Sequence, residues 1–148
     1  MNTNRNFRQA VFVVVYRINK KDSMPLYLIL KRKHHWIGWE FVKGGIDHGE
    51  NKLQTANREV KEEAGLEPKK NSIKKYNYSG CYPYKRKFRD RPGFVGQTFT
   101  LFSAEVTKGT VKFDKKEHSR YKWLSYDKAI KTLSHRNQKK GVKIVNDW

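Results

Sequence analysis

Apolar positions along the chain follow two different periods. From Gln9 to Arg17 the residues are β-branched or aromatic with little polar interruption, which predicts a buried strand. Leu26 to Lys31 predicts a second, and the turn residues Asp22-Ser23-Met24-Pro25 between them predict a hairpin. A short extended piece at Trp39 to Val42 leads into Gly44-Gly45. The spacing then changes: Leu53, Ala56, Val60 and Ala64 recur at helical intervals and predict a helix over Asn51 to Ala64, ended by Gly65 as C-cap residue with Pro68 just beyond. Further strands are expected at Ile73 to Gly80 and Gln97 to Val106, separated by a loop from Cys81 to Gly96 long enough to suggest function. A turn at Lys108-Gly109, an extended piece at Val111 to Phe113, a strand at Tyr121 to Leu124 and a helix from Ser125 as N-cap to Leu133 complete the pattern. The last dozen residues carry a weaker helical signal, diluted by Gly141 and the β-branched Val142, Ile144 and Val145. Strands, a helix, more strands and another helix predict a mixed sheet with helices on its faces.

One stretch does more than pack. At 100° per residue, Glu59, Glu62 and Glu63 fall in one arc of the predicted helix, apart from its apolar face. Like charges three and four residues apart repel on an exposed helix, so clustering them makes sense where a cation neutralises them. Oxygen-only ligation selects Mg²⁺ or Mn²⁺. Gly44 and Gly45, just upstream, let the backbone approach a metal or phosphate without a Cβ in the way.

Charge sharpens this picture. The 148 residues carry 33 Lys and Arg against 14 Asp and Glu, a net charge of +19. Gly44 to Leu66 has five acidic residues and three basic ones, so an acidic patch of −2 sits in a body of +21. Such a field attracts phosphate-rich ligands, with nucleic acid among them. The length fits one domain over residues 1–148. No run approaches the roughly 20 apolar residues that span a bilayer, no membrane partner is expected, and the lone Cys81 fits a reducing compartment. These features predict a cytoplasmic protein.

The segment Gly44 to Leu66 reads G-x5-E-x7-R-E-U-x-E-E-x-G-U, with U aliphatic, without a departure. It resembles the Nudix box, and the chain is similar to Nudix hydrolases. The resemblance implies an α/β/α sandwich with a mixed β-sheet and the box as a loop-helix-loop catalytic motif. It implies hydrolysis of a nucleoside diphosphate linked to another group. By resemblance Gly44, Glu59, Glu62 and Glu63 would hold the metals, Glu59 would be the base, and Arg58 would orient a box carboxylate. Glu50 would support the site from outside the metal's ligands, and Lys43 would meet a phosphate.

Outside the box, Tyr82-Pro83-Tyr84-Lys85-Arg86-Lys87-Phe88-Arg89 interleaves rings with cations, a pattern that stacks bases while neutralising phosphates. Tyr82 and Tyr84 lie where Nudix enzymes that cleave dinucleoside polyphosphates tend to carry a tyrosine. Gly96-Gln97, and Glu117 followed by Tyr121 and Trp123, resemble the branch of diadenosine tetraphosphate hydrolases and RNA pyrophosphohydrolases, which makes Glu117 a further metal ligand or alternative base. Trp36 is placed to stack on a base or, like Trp39, to anchor the core, and His34 and His35 read as solvent-facing loop residues. The expected substrate is a dinucleoside polyphosphate such as diadenosine tetraphosphate. The alternatives are 5′-triphosphorylated RNA and, outside catalysis, an RNA-binding module.

Overall fold

The computed structural model describes residues 6–107 and 109–147. Its elements in chain order begin with strands β1 (Phe7–Ile18), β2 (Pro25–Arg32), β3 (Gly38–Glu40) and β4 (Val42–Gly45). Helix α1 (Lys52–Glu59) follows and is continued by a π-helical turn (Val60–Ala64). Strands β5 (Lys74–Pro83), β6 (Gly96–Glu105) and β7 (His118–Leu124) come next, then helices α2 (Tyr126–Thr132) and α3 (Arg136–Asn146).

β1 is the centre of the sheet because its apolar run can be buried on both faces. Its even positions Phe12 and Val14 pack with Ile29, Phe41, Leu101, Ala129, Leu133 and Val142 under α2 and α3. Its odd positions Val11, Val13 and Val15 pack with Leu30, Val42, Ala56, Val60 and Phe102 under α1. One edge of β1 pairs parallel with β6 over residues 7–16. The other edge is shared: β4 pairs antiparallel with residues 10–13, and β2 forms the expected hairpin at residues 16–18. Beyond that point β2 leaves β1 and pairs with β3 and β7, so the sheet is mixed and splits around the glycines of β4.

Three expectations need correction, and one weak signal proves strong. Val111 to Phe113 forms no strand; Lys112 N–H instead donates to Ala64 O and closes the end of the π-helical turn. The C-terminal segment is a full helix despite its composition, since Gly141 lies against Leu101 and Phe41 while Val142 and Val145 are buried, and that packing outweighs weak propensity. β5 runs on to Pro83, shortening the loop, because Tyr82 and Pro83 continue the ladder with Gln97 and Gly96. Leu53, assigned to the packed face of α1, is 52% exposed. The turn expected at Lys108 lies outside the described residues. Among the described residues, no helix is long and apolar enough to cross a membrane.

Candidate active site

The glycine turn and the box helix meet at the split in the sheet. Asn51 caps α1 by accepting from Gln54 N–H, and the Gln54 side chain returns the bond to Asn51 N–H. At Val60 the helix widens into the π-helical turn, which Gly65 ends in a left-handed conformation, φ 66°. The extra residue in that turn changes the carboxylate geometry. Glu59 and Glu63 are buried, whereas the Glu62 side chain is 59% exposed at the rim and joined to Glu59 through Arg58 Nη1, so the three differ in depth.

Glu59 reaches so close to the backbone that a Cβ on Gly44 would fall on its carboxyl group and push it aside. Glu63 accepts from Lys43 N–H at 2.8 Å, and Glu117, which precedes β7, lies close enough to help raise its pKa. Burial pushes the Glu59 pKa up to about 7, with Arg58 opposing and Glu62 adding to the rise. Burial also raises Glu63 well above the carboxylate range, reinforced by Glu40 and Glu59. Arg58 ties the rim together. Its Nε and Nη2 grip Glu50, its Nη1 donates to Glu59 Oε1 at 2.7 Å and Glu62 Oε2 at 3.0 Å, and Nη2 also donates to Gly45 O. Two buried carboxyls, a close backbone turn and an all-oxygen donor set fit a hard divalent cation.

Behind these carboxylates lies a buried cluster around Glu40 that the sequence pattern did not single out. Glu40 is fully buried among Arg32, Lys43 and His118. Lys43 belongs to this cluster, its side chain 9% exposed and its Nζ 3.4 Å from Glu40 Oε1, and it also lines the cavity that opens beside the cluster. The available signal was a glutamate in an otherwise apolar Trp39-Glu40-Phe41-Val42 run.

Next to the cluster opens a cavity of about 940 Å³. Trp36, Tyr82, Tyr84 and Phe88 give it aromatic walls, and Lys85 and Arg86 give it charge. Lys87 and Arg89 do not line it. From α3 and the residue before it, Arg136, Lys140 and His135 close the far side, with the His135 and Trp36 rings edge-to-face at 4.5 Å. Sequence reading missed these because they lie fifty residues beyond the tyrosines. Gln97 fixes the tyrosines: its Nε2 donates to Tyr82 Oη, its Oε1 accepts from Tyr84 Oη, and Arg8 Nη1 donates to the same oxygen. Arg8 also lies over Gly45, where a Cβ would meet its guanidinium, so it links the carboxylate and aromatic ends.

His35 departs from the expectation of a solvent-facing residue, whereas His34 is exposed as expected. The His35 side chain is only 7% exposed, and both rings meet Asp90. Arg32 Nη2 lies 3.3 Å from His35 Nδ1. A guanidinium only donates, so His35 carries its proton on Nε2 and donates to Asp90 Oδ1 at 2.9 Å. The trio is thus a hydrogen-bonded clasp that fastens the loop after β5 beside the cavity, with the His35 nitrogen lone pairs unavailable to a cation.

The chain is similar to known proteins over most of its length. The chain is 29% identical over 144 residues to the asymmetrical bis(5′-nucleosyl)-tetraphosphatase of Mus musculus, covering 88% of each chain. It is 28% identical over 140 residues to the dihydroneopterin triphosphate diphosphatase of Haemophilus influenzae, covering 91% of this chain and 85% of that one. Its fold matches an Ap4A hydrolase of C. elegans, solved as a binary complex, with a TM-score of 0.75 at 23% identity over 95% of this chain and 96% of the other. The model of the NUDIX domain family matches residues 6–144. With an unbroken box from Gly44 to Leu66 and that match over nearly the whole chain, the protein belongs to the Nudix family and is a Nudix hydrolase.

Proposed function

We propose that this protein is a divalent-metal-dependent hydrolase of dinucleoside polyphosphates such as diadenosine tetraphosphate. The observation that carries the reading is the nearness of two sites: buried carboxylates around Gly44, and an aromatic cavity of about 940 Å³ with basic walls, lined in part by Lys43, the residue before Gly44. A dinucleoside polyphosphate offers the matching pair, a phosphate chain and a flat base. The likeness to the murine tetraphosphatase supports the same substrate class.

Gly44 O, Glu59, Glu62, Glu63 and Glu117 would hold Mg²⁺ or Mn²⁺. When bound, such an ion neutralises phosphate charge and makes water acidic enough to act as a nucleophile at neutral pH. Glu59 takes the proton as the water oxygen bonds to phosphorus, the bridging P–O bond breaks, and a mononucleotide leaves. Arg58 keeps the Glu59 carboxyl turned toward Gly44, and Glu117 is the alternative base. Trp36, Tyr82 and Tyr84 stack the base. Arg8, Lys85 and Arg86 face the phosphates between the two ends.

A second reading shares this chemistry. The cavity carries Lys85 and Arg86 on one wall and Arg136 and Lys140 on the other, which suits the 5′-triphosphate end of an RNA chain. Product analysis with diadenosine tetraphosphate, a pterin triphosphate and triphosphorylated RNA separates the readings. Diadenosine tetraphosphate should be cleaved fastest, with a shallow salt dependence. Negligible cleavage of it, together with a steep salt slope on RNA, would replace the first reading by the second.

A further inference from the structure

Glu40 lies at the meeting point of four strands. Its Oε2 faces Arg32 Nη1 at 3.1 Å and His118 Nε2 at 2.8 Å, and its Oε1 has Lys43 Nζ at 3.4 Å with no hydrogen bond closer. Arg32 and His118 are 2% and 0% exposed. Taking such charges out of water is costly, and apolar residues of the same volume often stabilise a fold as well or better. The cluster therefore needs a reason other than stability.

Its position supplies one, because each partner of Glu40 adjoins a part of the carboxylate site. Lys43 precedes Gly44 and its backbone N–H holds Glu63. His118 follows Glu117, whose carbonyl oxygen accepts from Lys33 and His34 N–H just beyond Arg32. Glu40, Glu63 and His118 present ligand atoms within 4.8 Å of one another, as a further metal site would. Arg32 and Lys43 already supply fixed positive charge there, so the cluster acts as a brace.

We propose that Glu40 is a positioning residue: by pinning Lys43 and His118 it sets where Gly44, Glu63 and Glu117 stand relative to one another. This inference rests on reading the carboxylates as a divalent-cation site. The test uses Glu40→Gln and His118→Phe, alone and combined with Glu117→Gln. Mn²⁺ binding is followed without substrate by electron paramagnetic resonance, alongside thermal unfolding and steady-state kinetics.

Glu40→Gln should weaken Mn²⁺ binding about 10- to 100-fold, the range seen when residues supporting metal ligands are lost, and should lower kcat more than it changes KM. In the Glu117→Gln background His118→Phe should cost little more, since the group it positions is already gone. A folded Glu40→Gln variant that binds Mn²⁺ like the wild type would overturn the proposal. So would losses from His118→Phe that simply add to those of Glu117→Gln, because a purely structural role predicts additivity. Should Glu40→Gln fail to fold, His118→Gln, which loses the ring but keeps a donor, carries the same comparison. Absence of Mn²⁺ binding by the wild type would remove the cation site itself and the inference with it, an outcome distinct from a loss confined to the variants.

Discussion

Arg58 grips Glu50 with two nitrogens, Nε to Oε2 at 2.8 Å and Nη2 to Oε1 at 3.0 Å, in the fork geometry that favours arginine over lysine. Arg58 holds the Glu50 carboxyl down to about 2, and the Asp47 N–H helps. Glu50 in turn fixes the arginine whose other nitrogen reaches Glu59. Glu50→Gln should therefore lower kcat about tenfold with little change in thermal stability, and Arg58→Lys should lower it more. Steady-state kinetics on both variants, with melting curves, check this.

The π-helical turn separates the roles of two adjacent glutamates. Glu63 is buried between Lys43 N–H and Glu117, whereas Glu62 is at the rim. Glu63→Gln should nearly abolish hydrolysis, by a factor of about 10³ or more, because both metal binding and water activation weaken. The metal-free protein should melt at the same or a higher temperature, since repulsion with Glu59 and Glu117 is relieved. Glu62→Gln should lose less than Glu63→Gln. Equal losses at saturating Mg²⁺ would show that exposure does not rank these ligands.

Stability should depend on pH with a definite sign. Glu59 is raised from 4.5 to about 7, chiefly by burial, so between those values the folded state holds a proton that the unfolded chain has released. Its contribution is complete below about pH 4.5 and is lost as pH rises through 7; Glu63 is shifted in the same direction. Melting temperatures in a chelator should fall from pH 5 to pH 8. Saturating Mg²⁺ should flatten that fall, because a cation favours the ionised carboxylates; at a hundred times its Kd it adds about 2.7 kcal/mol.

Base stacking should appear in substrate affinity. Tyr82→Ala or Trp36→Ala should raise KM for a dinucleoside polyphosphate by the equivalent of about 1–3 kcal/mol, with kcat little changed. Neutralising Lys87 and Arg89, which do not line the cavity, should have a smaller effect than neutralising Lys85 and Arg86. KM values for the four variants decide the ranking.

The sequence alone determined the box, the helix cap at Gly65, the central strands and the layered architecture, because these follow from local spacing: glycine at a left-handed position, apolar period, carboxylates near each other in the chain. It also pointed to Arg58 and to the paired tyrosines. Only the tertiary structure decided which glutamates are buried, since the π-helical turn depends on packing against β4 and breaks the regular 100° projection. It decided that Lys43 packs beside Glu40, and that Arg8, Gln97 and His135 join the tyrosines from far along the chain, Arg8 and Gln97 being 89 residues apart. It decided that α3 forms, through burial of Val142 and Val145 against the sheet. Burial, charge pairing and cavity walls are made by residues that meet only when the sheet closes, and periodicity along the chain does not encode those meetings.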